Sequence, residues 1–229
     1  MSRLDSYVRY NRVYDALEKL LQEESFCNAI DTFNLDAAFN MLKENVDKTW
    51  LTDRIIVSVF LNEVINSLGE QEFIDSDVIL PKTYFNIWND IIFEDELIIT
   101  DKCTQEFKGN TFDGRVIIDC NVSRDMFNLV TFKKDLLFTE TLKHLEEESF
   151  FGCKYNTVSI PKKGVIIDSE DFLISLNKAE KVYYEGTSEE FSSMLKKSLK
   201  LNKSKPGNMH NDMQYYIKQL LSKIEFLNK

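Results

Sequence analysis

The feature that most constrains this sequence is a spaced series of short apolar runs between residues 95 and 191. Each run is followed by a polar stretch and then by an aromatic residue suited to a core. The runs begin at Leu97, Val116, Leu136, Val158 and Val182, so the steps between them are 19, 20, 22 and 24 residues. One short strand in every 20 or so residues is typical of a solenoid, because a single turn buries its apolar edge only against its neighbours. The spacing therefore predicts a stack of short strands.

Two stretches of this array carry a more specific pattern. The run from Leu136 to Cys153 ends in Ser-Phe-Phe-Gly-Cys, and a further strand ends at Pro161. These features resemble the BspA-type leucine-rich repeat, best over residues 135–191 and weakly over 95–134, where the proline and the Phe-x-x-Cys element are missing. The segment from Val182 to Phe191 is similar to the closing segment of such arrays. The resemblance implies a right-handed solenoid and a ligand-binding role, usually towards proteins, although fold alone does not fix function.

Helices are predicted on both sides of the array. Apolar residues at spacings of three and four predict four helices before the array and one at the C-terminus. The first covers 2–21, and the second is capped by Asp31 and runs to Val46. The third starts at Thr52-Asp53 and stops at Gly69, and the fourth runs from Pro81 to Ile91. We expect an α+β fold, with an N-terminal helical bundle, a short leucine-rich-repeat-like right-handed solenoid and a C-terminal helix. The expected divisions are a helical domain at 1–94, four to five solenoid turns at 95–194, a basic linker at 195–210 and an amphipathic helix at 211–229.

Alternation along the strands predicts two faces. The expected core positions are Val116, Ile118, Leu136, Phe138, Val158, Ile160, Val182 and Tyr184. The opposite face then carries Ile98, Ile117, Leu137, Ser159 and Tyr183. Apolar residues on a face that should meet water need an explanation. Either the terminal helices cover the row, or a partner protein docks on it, or the strands have another register.

Charge divides the chain unevenly. The formal net charge is -10, and residues 196–229 hold eight lysines against Asp212 and Glu225, which makes that segment +6 and leaves -16 for residues 1–195. Few aromatic residues lie among these lysines, so nucleic acid is not expected as a direct ligand. The acidic body suggests instead a decoy surface that mimics nucleic acid. Its candidate residues are Glu146, Glu147, Glu148, Asp168, Glu170 and Asp171.

Residue patterns that carry catalysis are weak in this sequence. The chain has two histidines and no phosphate-binding glycine motif, and its four cysteines form no C-x-x-C pair, which predicts reduced, packed thiols. Asp113, Asp119 and Asn121 are spaced as in a metal-dependent nuclease core, but Asn121 stands where that core requires lysine. We expect no enzymatic activity, no cofactor and no metal site.

The sequence therefore predicts a non-enzymatic protein-binding module. The residues expected to bind the partner are those of the outward row, and the alternative is an acidic inhibitor of a DNA- or RNA-handling enzyme, of the kind that phages encode. The first residues lack the apolar region of a signal peptide, and no run approaches the roughly 18 apolar residues of a membrane span, so we expect a cytoplasmic protein without membrane contact. The oligomeric state stays open, with dimerisation through the C-terminal helix as one alternative.

Overall fold

A computed structural model describes residues 3–46, 53–76, 78, 91–103, 106–163, 166–167, 170–201 and 209–227. The chain divides into two compact units, Met1–Ile91 and Ile92–Lys229. The described residues of the first unit form helices, and the second unit contains a parallel β-solenoid with helices near its end. The fold is therefore of the α+β class.

The first unit contains helices α1 (Arg3–Leu20), α2 (Glu24–Asp31), α3 (Leu35–Asn45), α4 (Asp53–Leu68) and α5 (Glu70–Ile74). Helix α1 packs against α3 and α4, and α2 packs against α3. The Phe60 ring lies 6.4 Å from that of Phe26 and 5.7 Å from that of Phe39. All three rings are buried, so aromatic contacts from α2, α3 and α4 form the centre of this unit.

The start of the second predicted helix is wrong. Asp31 is the last residue of α2, and the cap of α3 is Asn34, whose side-chain oxygen accepts a hydrogen bond from the backbone N–H of Ala37 at 3.2 Å. Phe33, with φ of 54°, turns the chain between the two helices, which the apolar spacing alone did not reveal. Helix α4 ends before Gly69, as predicted, whereas the helix predicted from Pro81 lies outside the described residues.

The second unit is built from short parallel strands. Its elements are β1 (Ile92–Phe93), β2 (Leu97–Ile99), β3 (Thr111–Phe112), β4 (Val116–Ile118), β5 (Thr131–Phe138), β6 (His144–Leu145), β7 (Lys154–Ile160), β8 (Ile166–Ile167), α6 (Glu170–Leu176), β9 (Lys181–Tyr184), α7 (Ser188–Leu201), α8 (Met209–Lys223) and β10 (Glu225–Phe226). Strands β2, β4, β5, β7 and β9 pair in this order, and each pairing is parallel. They form a solenoid of about four turns.

The register of these strands is the one predicted from the repeat. Leu97, Val116, Leu136, Val158 and Val182 are successive partners across the sheet. Every residue assigned to the core by alternation is buried. The strand positions and the inward face were thus correctly predicted, because a shift by one residue would have exposed the whole apolar row.

Two stacks of aromatic rings run through the solenoid core. Phe93, Phe112, Phe132 and Tyr155 stack with successive centroid distances of 5.0, 5.4 and 5.6 Å. In the second stack, the ring of Phe127 lies 5.5 Å from that of Phe107 and 5.0 Å from that of Phe150. Within each stack, every ring belongs to a different turn, so the stacks join neighbouring turns by contacts that no single turn makes alone.

The last described turn is closed by the C-terminal part of the chain. Strand β10 pairs with β9, and the N–H of Leu227 donates to the carbonyl of Tyr184 at 2.8 Å. Helix α8 packs against α6, and the Lys223 ammonium donates to the carbonyls of Asn177 and Ala179. The sequence predicted helix from 211 to 229, but the helix ends at Lys223 because the following residues join the sheet. Helix α7 extends to Leu201, within the range predicted as a basic linker.

One corner of the solenoid holds a leucine in a conformation that favours glycine. Gly109, Leu129 and Gly152 precede the paired strands β3, β5 and β7 by the same two residues, and their φ angles are 75°, 60° and 68°. The left-handed conformation costs a residue with a Cβ about 1–2 kcal/mol. Leu129 is also 52% exposed, so its side chain recovers little of this cost by burial.

Leu129→Gly should raise the free energy of unfolding. The gain from relieved strain is partly offset by the greater freedom of glycine in the unfolded chain, which leaves an increase of about 0.5–1 kcal/mol. Urea unfolding followed by circular dichroism measures the change. Leu129→Ala is the matched control, because alanine keeps the strain and should give no stabilisation. A glycine variant less stable than the alanine variant would contradict the prediction.

Candidate functional site

The five residues predicted to bind a partner form one continuous row. Ile98, Ile117, Leu137, Ser159 and Tyr183 are successive partners on β2, β4, β5, β7 and β9. Ile98 is 42% exposed and the other four are half-buried. Neighbouring strands lie about 4.8 Å apart, so the row places one side chain at each such step along the solenoid. The structure brings all five together on the outward face of the sheet.

A charged row runs beside this apolar row. Its residues precede those of the apolar row by two positions and are Glu96, Arg115, Asp135, Thr157 and Lys181. Asp135, Thr157 and Lys181 are successive partners across β5, β7 and β9. The Arg115 guanidinium lies 3.2 Å from the Glu96 carboxylate and 4.0 Å from that of Asp135. These side chains are about half exposed, so the ion pairs contribute little to stability. They do hold a negative, a positive and a negative side chain next to one another on three successive turns.

A cleft of about 350 Å³ adjoins the charged row. It is lined by Glu94, Asp95, Glu96, Gly114, Arg115, Lys134, Asp135 and Asn156. A Cβ at Gly114 would overlap the carbonyl oxygen of Asp95 and lie 2.8 Å from that of Glu94. Glycine at this position therefore allows two successive turns to approach closely beside the cleft. The lining holds four carboxylates and two cationic side chains.

The residues considered for a nuclease core have separate structural roles. The hydroxyl of Thr139 donates to Asp119 at 2.5 Å, and hydrogen bonds from Thr139 and Thr141 lower the pKa of Asp119. Asp113 forms an ion pair with Lys133 at 2.7 Å. The side-chain oxygen of Asn121 accepts from the backbone of the next turn, at Lys143 and His144. These groups link successive turns of the solenoid.

The candidate decoy residues are only partly arranged as an open acidic surface. Glu146 accepts a hydrogen bond from the backbone N–H of Arg124 at 2.9 Å, and Glu148 pairs with the guanidinium of the same arginine. Glu147 is exposed, and Asp171 is half-buried in α6. The side chain of Glu170 and the whole of Asp168 lie outside the described residues. Arg124 thus offsets part of the charge of the Glu146–Glu148 run.

The buried thiols have raised pKa values. Burial raises the pKa of Cys120 to about 11 and that of Cys153 to about 12. The Cys153 thiol donates to the carbonyl of Phe127 at 2.7 Å, one turn away. Both thiols stay protonated at neutral pH and are therefore poor nucleophiles.

Two absences hold for the part of the chain that the structure describes. In that part of the chain, no three Asp, Glu, His or Cys side chains are grouped as a metal ion would need. Among the helices it contains, none combines the length and apolar character that crossing a bilayer demands.

Sequence reasoning found the apolar row but missed the charged row and the cleft. The signal for the charged row was present, because its residues precede the apolar ones by two positions and share their face. The cleft depends on the close approach of two turns at Gly114, which the sequence did not show. No family model matches the chain, and neither a curated protein nor a solved structure is significantly similar to it.

Proposed function

We propose that this chain is a non-enzymatic protein-binding module and that the outward face of its solenoid contacts the partner. The observation that carries the proposal is the continuous row from Ile98 to Tyr183, which keeps part of its apolar surface in water. Exposed apolar surface that is contiguous and bordered by polar groups marks protein-interaction sites. Ile98, Ile117 and Leu137 provide aliphatic contacts, and Tyr183 adds an aromatic residue of a type enriched at interfaces.

The proposal extends to the remaining sequence-based assignments. They are a right-handed solenoid of the BspA type, an N-terminal helical bundle, a C-terminal helix outside the repeats and a cytoplasmic location. The residues of the resemblance support it, because buried Phe150 and Cys153 flank Gly152 in a tight corner with φ of 68°. Glycine occupies two of the three aligned corners, at Gly109 and Gly152, where the left-handed conformation favours it.

Leu137→Glu tests the proposed interface. The substitution places a charge at the centre of the apolar row, and its outward orientation should leave the fold intact. We expect binding of a partner from the native host to fall by about 30-fold or more, as for an interface hot spot. The measurement is a pull-down with quantitative mass spectrometry, followed by titration of the partner retained by the unaltered chain.

Leu129→Glu provides the matched control. Leu129 is a half-exposed leucine of the same solenoid but lies outside the row, so its replacement should leave partner binding unchanged. Unfolding of Leu137→Glu would show that the row is core, and equal binding by both variants would contradict the proposal. Equal binding that is lost between about 50 and 500 mM salt would favour the acidic decoy instead.

A further inference from the structure

The spacing of the apolar row favours one kind of binding partner. Successive strands of the solenoid offer a contact about every 4.8 Å. An α-helix laid across the strands presents residues i, i+4 and i+7 at an average rise of about 5.3 Å, whereas alternate residues of an extended strand are about 6.7 Å apart. Over three contacts the helix departs from the solenoid spacing by about 1 Å, and the strand departs by nearly 4 Å.

The charge beside the row favours one kind of helix. The cleft that adjoins the charged row is lined by four carboxylates and by the cations Arg115 and Lys134, so the formal charge of its lining is -2. Arg115 lies between the carboxylates of Glu96 and Asp135 and is paired with both. A partner with a cation at this place would meet complementary charge, and one with a carboxylate would meet repulsion.

We propose that this face binds an amphipathic helix of a partner protein, with a Lys or Arg beside its apolar stripe. Three apolar residues at i, i+4 and i+7 contact Ile98, Ile117 and Leu137, and the basic side chain enters the cleft near Asp135. The inference rests on the proposed function and specifies the chemistry of its partner. Hydrophobic contact supplies the affinity, and the cleft selects the sign of the charge.

A display library of helical peptides, randomised along one face, is a suitable probe. Selection on the purified 229-residue chain should enrich peptides with aliphatic residues at i, i+4 and i+7 and with Lys or Arg on one flank. The strongest peptide is then synthesised and titrated by calorimetry. Asp135→Lys should weaken its binding by about tenfold, because the variant reverses the charge that faces the basic residue.

Two matched measurements make the result specific. Glu106→Lys makes the same charge change at an exposed position outside the face and should leave peptide binding unchanged. A peptide with Glu in place of its basic residue should bind the unaltered chain more weakly and should bind Asp135→Lys more tightly. This reciprocal change separates a charge contact from a loss of fold.

Other outcomes overturn the inference. Enrichment of acidic peptides, of extended peptides or of no peptide would contradict it, as would equal binding by Asp135→Lys and Glu106→Lys. A different result would contradict the proposed function, namely unchanged binding of the native partner by Leu137→Glu. If Leu137→Glu loses the native partner but Asp135→Lys binds it as tightly as the unaltered chain does, the interface is supported. That result would contradict a basic helix as the bound segment.

Discussion

Phe150→Ala should lower the free energy of unfolding of the solenoid by about 4 kcal/mol, within the usual range for a buried phenylalanine. The ring is completely buried and lies at the junction of several turns. Its centroid is 5.0 Å from that of Phe127, 5.1 Å from Phe172 and 5.9 Å from Phe138. Truncation removes these contacts and leaves a cavity that backbone shifts fill only in part.

The adjacent residue gives an internal control. Phe151 is 53% exposed, and Phe151→Ala should change the free energy of unfolding by less than about 1 kcal/mol. Native-state hydrogen exchange of peptides from 131–160 measures the relevant stability. Similar losses for the two variants would contradict the assignment of Phe150 to the shared core.

Gly114→Ala should destabilise the solenoid by about 3 kcal/mol or more, although it adds a single methyl group. The new Cβ would overlap the backbone carbonyl of Asp95, and a backbone atom cannot move aside as a flexible side chain can. The first two turns would have to separate. Hydrogen exchange should therefore rise most at the β2 and β4 amides, where the Leu97 N–H donates to the Arg115 carbonyl at 2.9 Å.

Lys134→Ala is the corresponding change one turn later. Register places Lys134 opposite Gly114, but its side chain is exposed and a Cβ is already present, so we expect a change within about 0.5 kcal/mol. Thermal unfolding followed by circular dichroism compares the two variants. A Gly114→Ala protein as stable as Lys134→Ala would refute the close approach of the turns.

Strand register was predictable from the sequence because one physical requirement governs it. An apolar residue must point inward at every second position, and Leu97, Val116 and Leu136 satisfy this only in one alignment. The outward positions of Ile98 and Tyr183 then follow without further information. The row, and with it the main part of the candidate site, could be identified before the structure was known.

Other features depend on contacts between residues far apart in sequence. Arg115 pairs with Glu96 and Asp135, which lie about one turn away on either side, and no local pattern indicates that these side chains meet. The left-handed conformation of Leu129 is imposed by its place between the corners at Gly109 and Gly152. Leucine itself disfavours this conformation, so residue type gave the wrong indication.

Closure of β9 by β10 has a consequence for the order of events during synthesis. Strand β9 ends at Tyr184, and the strand that covers its free edge begins only at Glu225. At about 5–20 residues per second, a ribosome takes roughly 2–8 s to make the chain between them. During that interval the nascent solenoid presents unpaired backbone groups to other growing chains, the condition under which strands join wrongly. Neighbouring ribosomes on one message would bring such edges together, so a nascent chain is exposed to a mispairing hazard that the pairing of β10 with Tyr183 and Tyr184 later reduces.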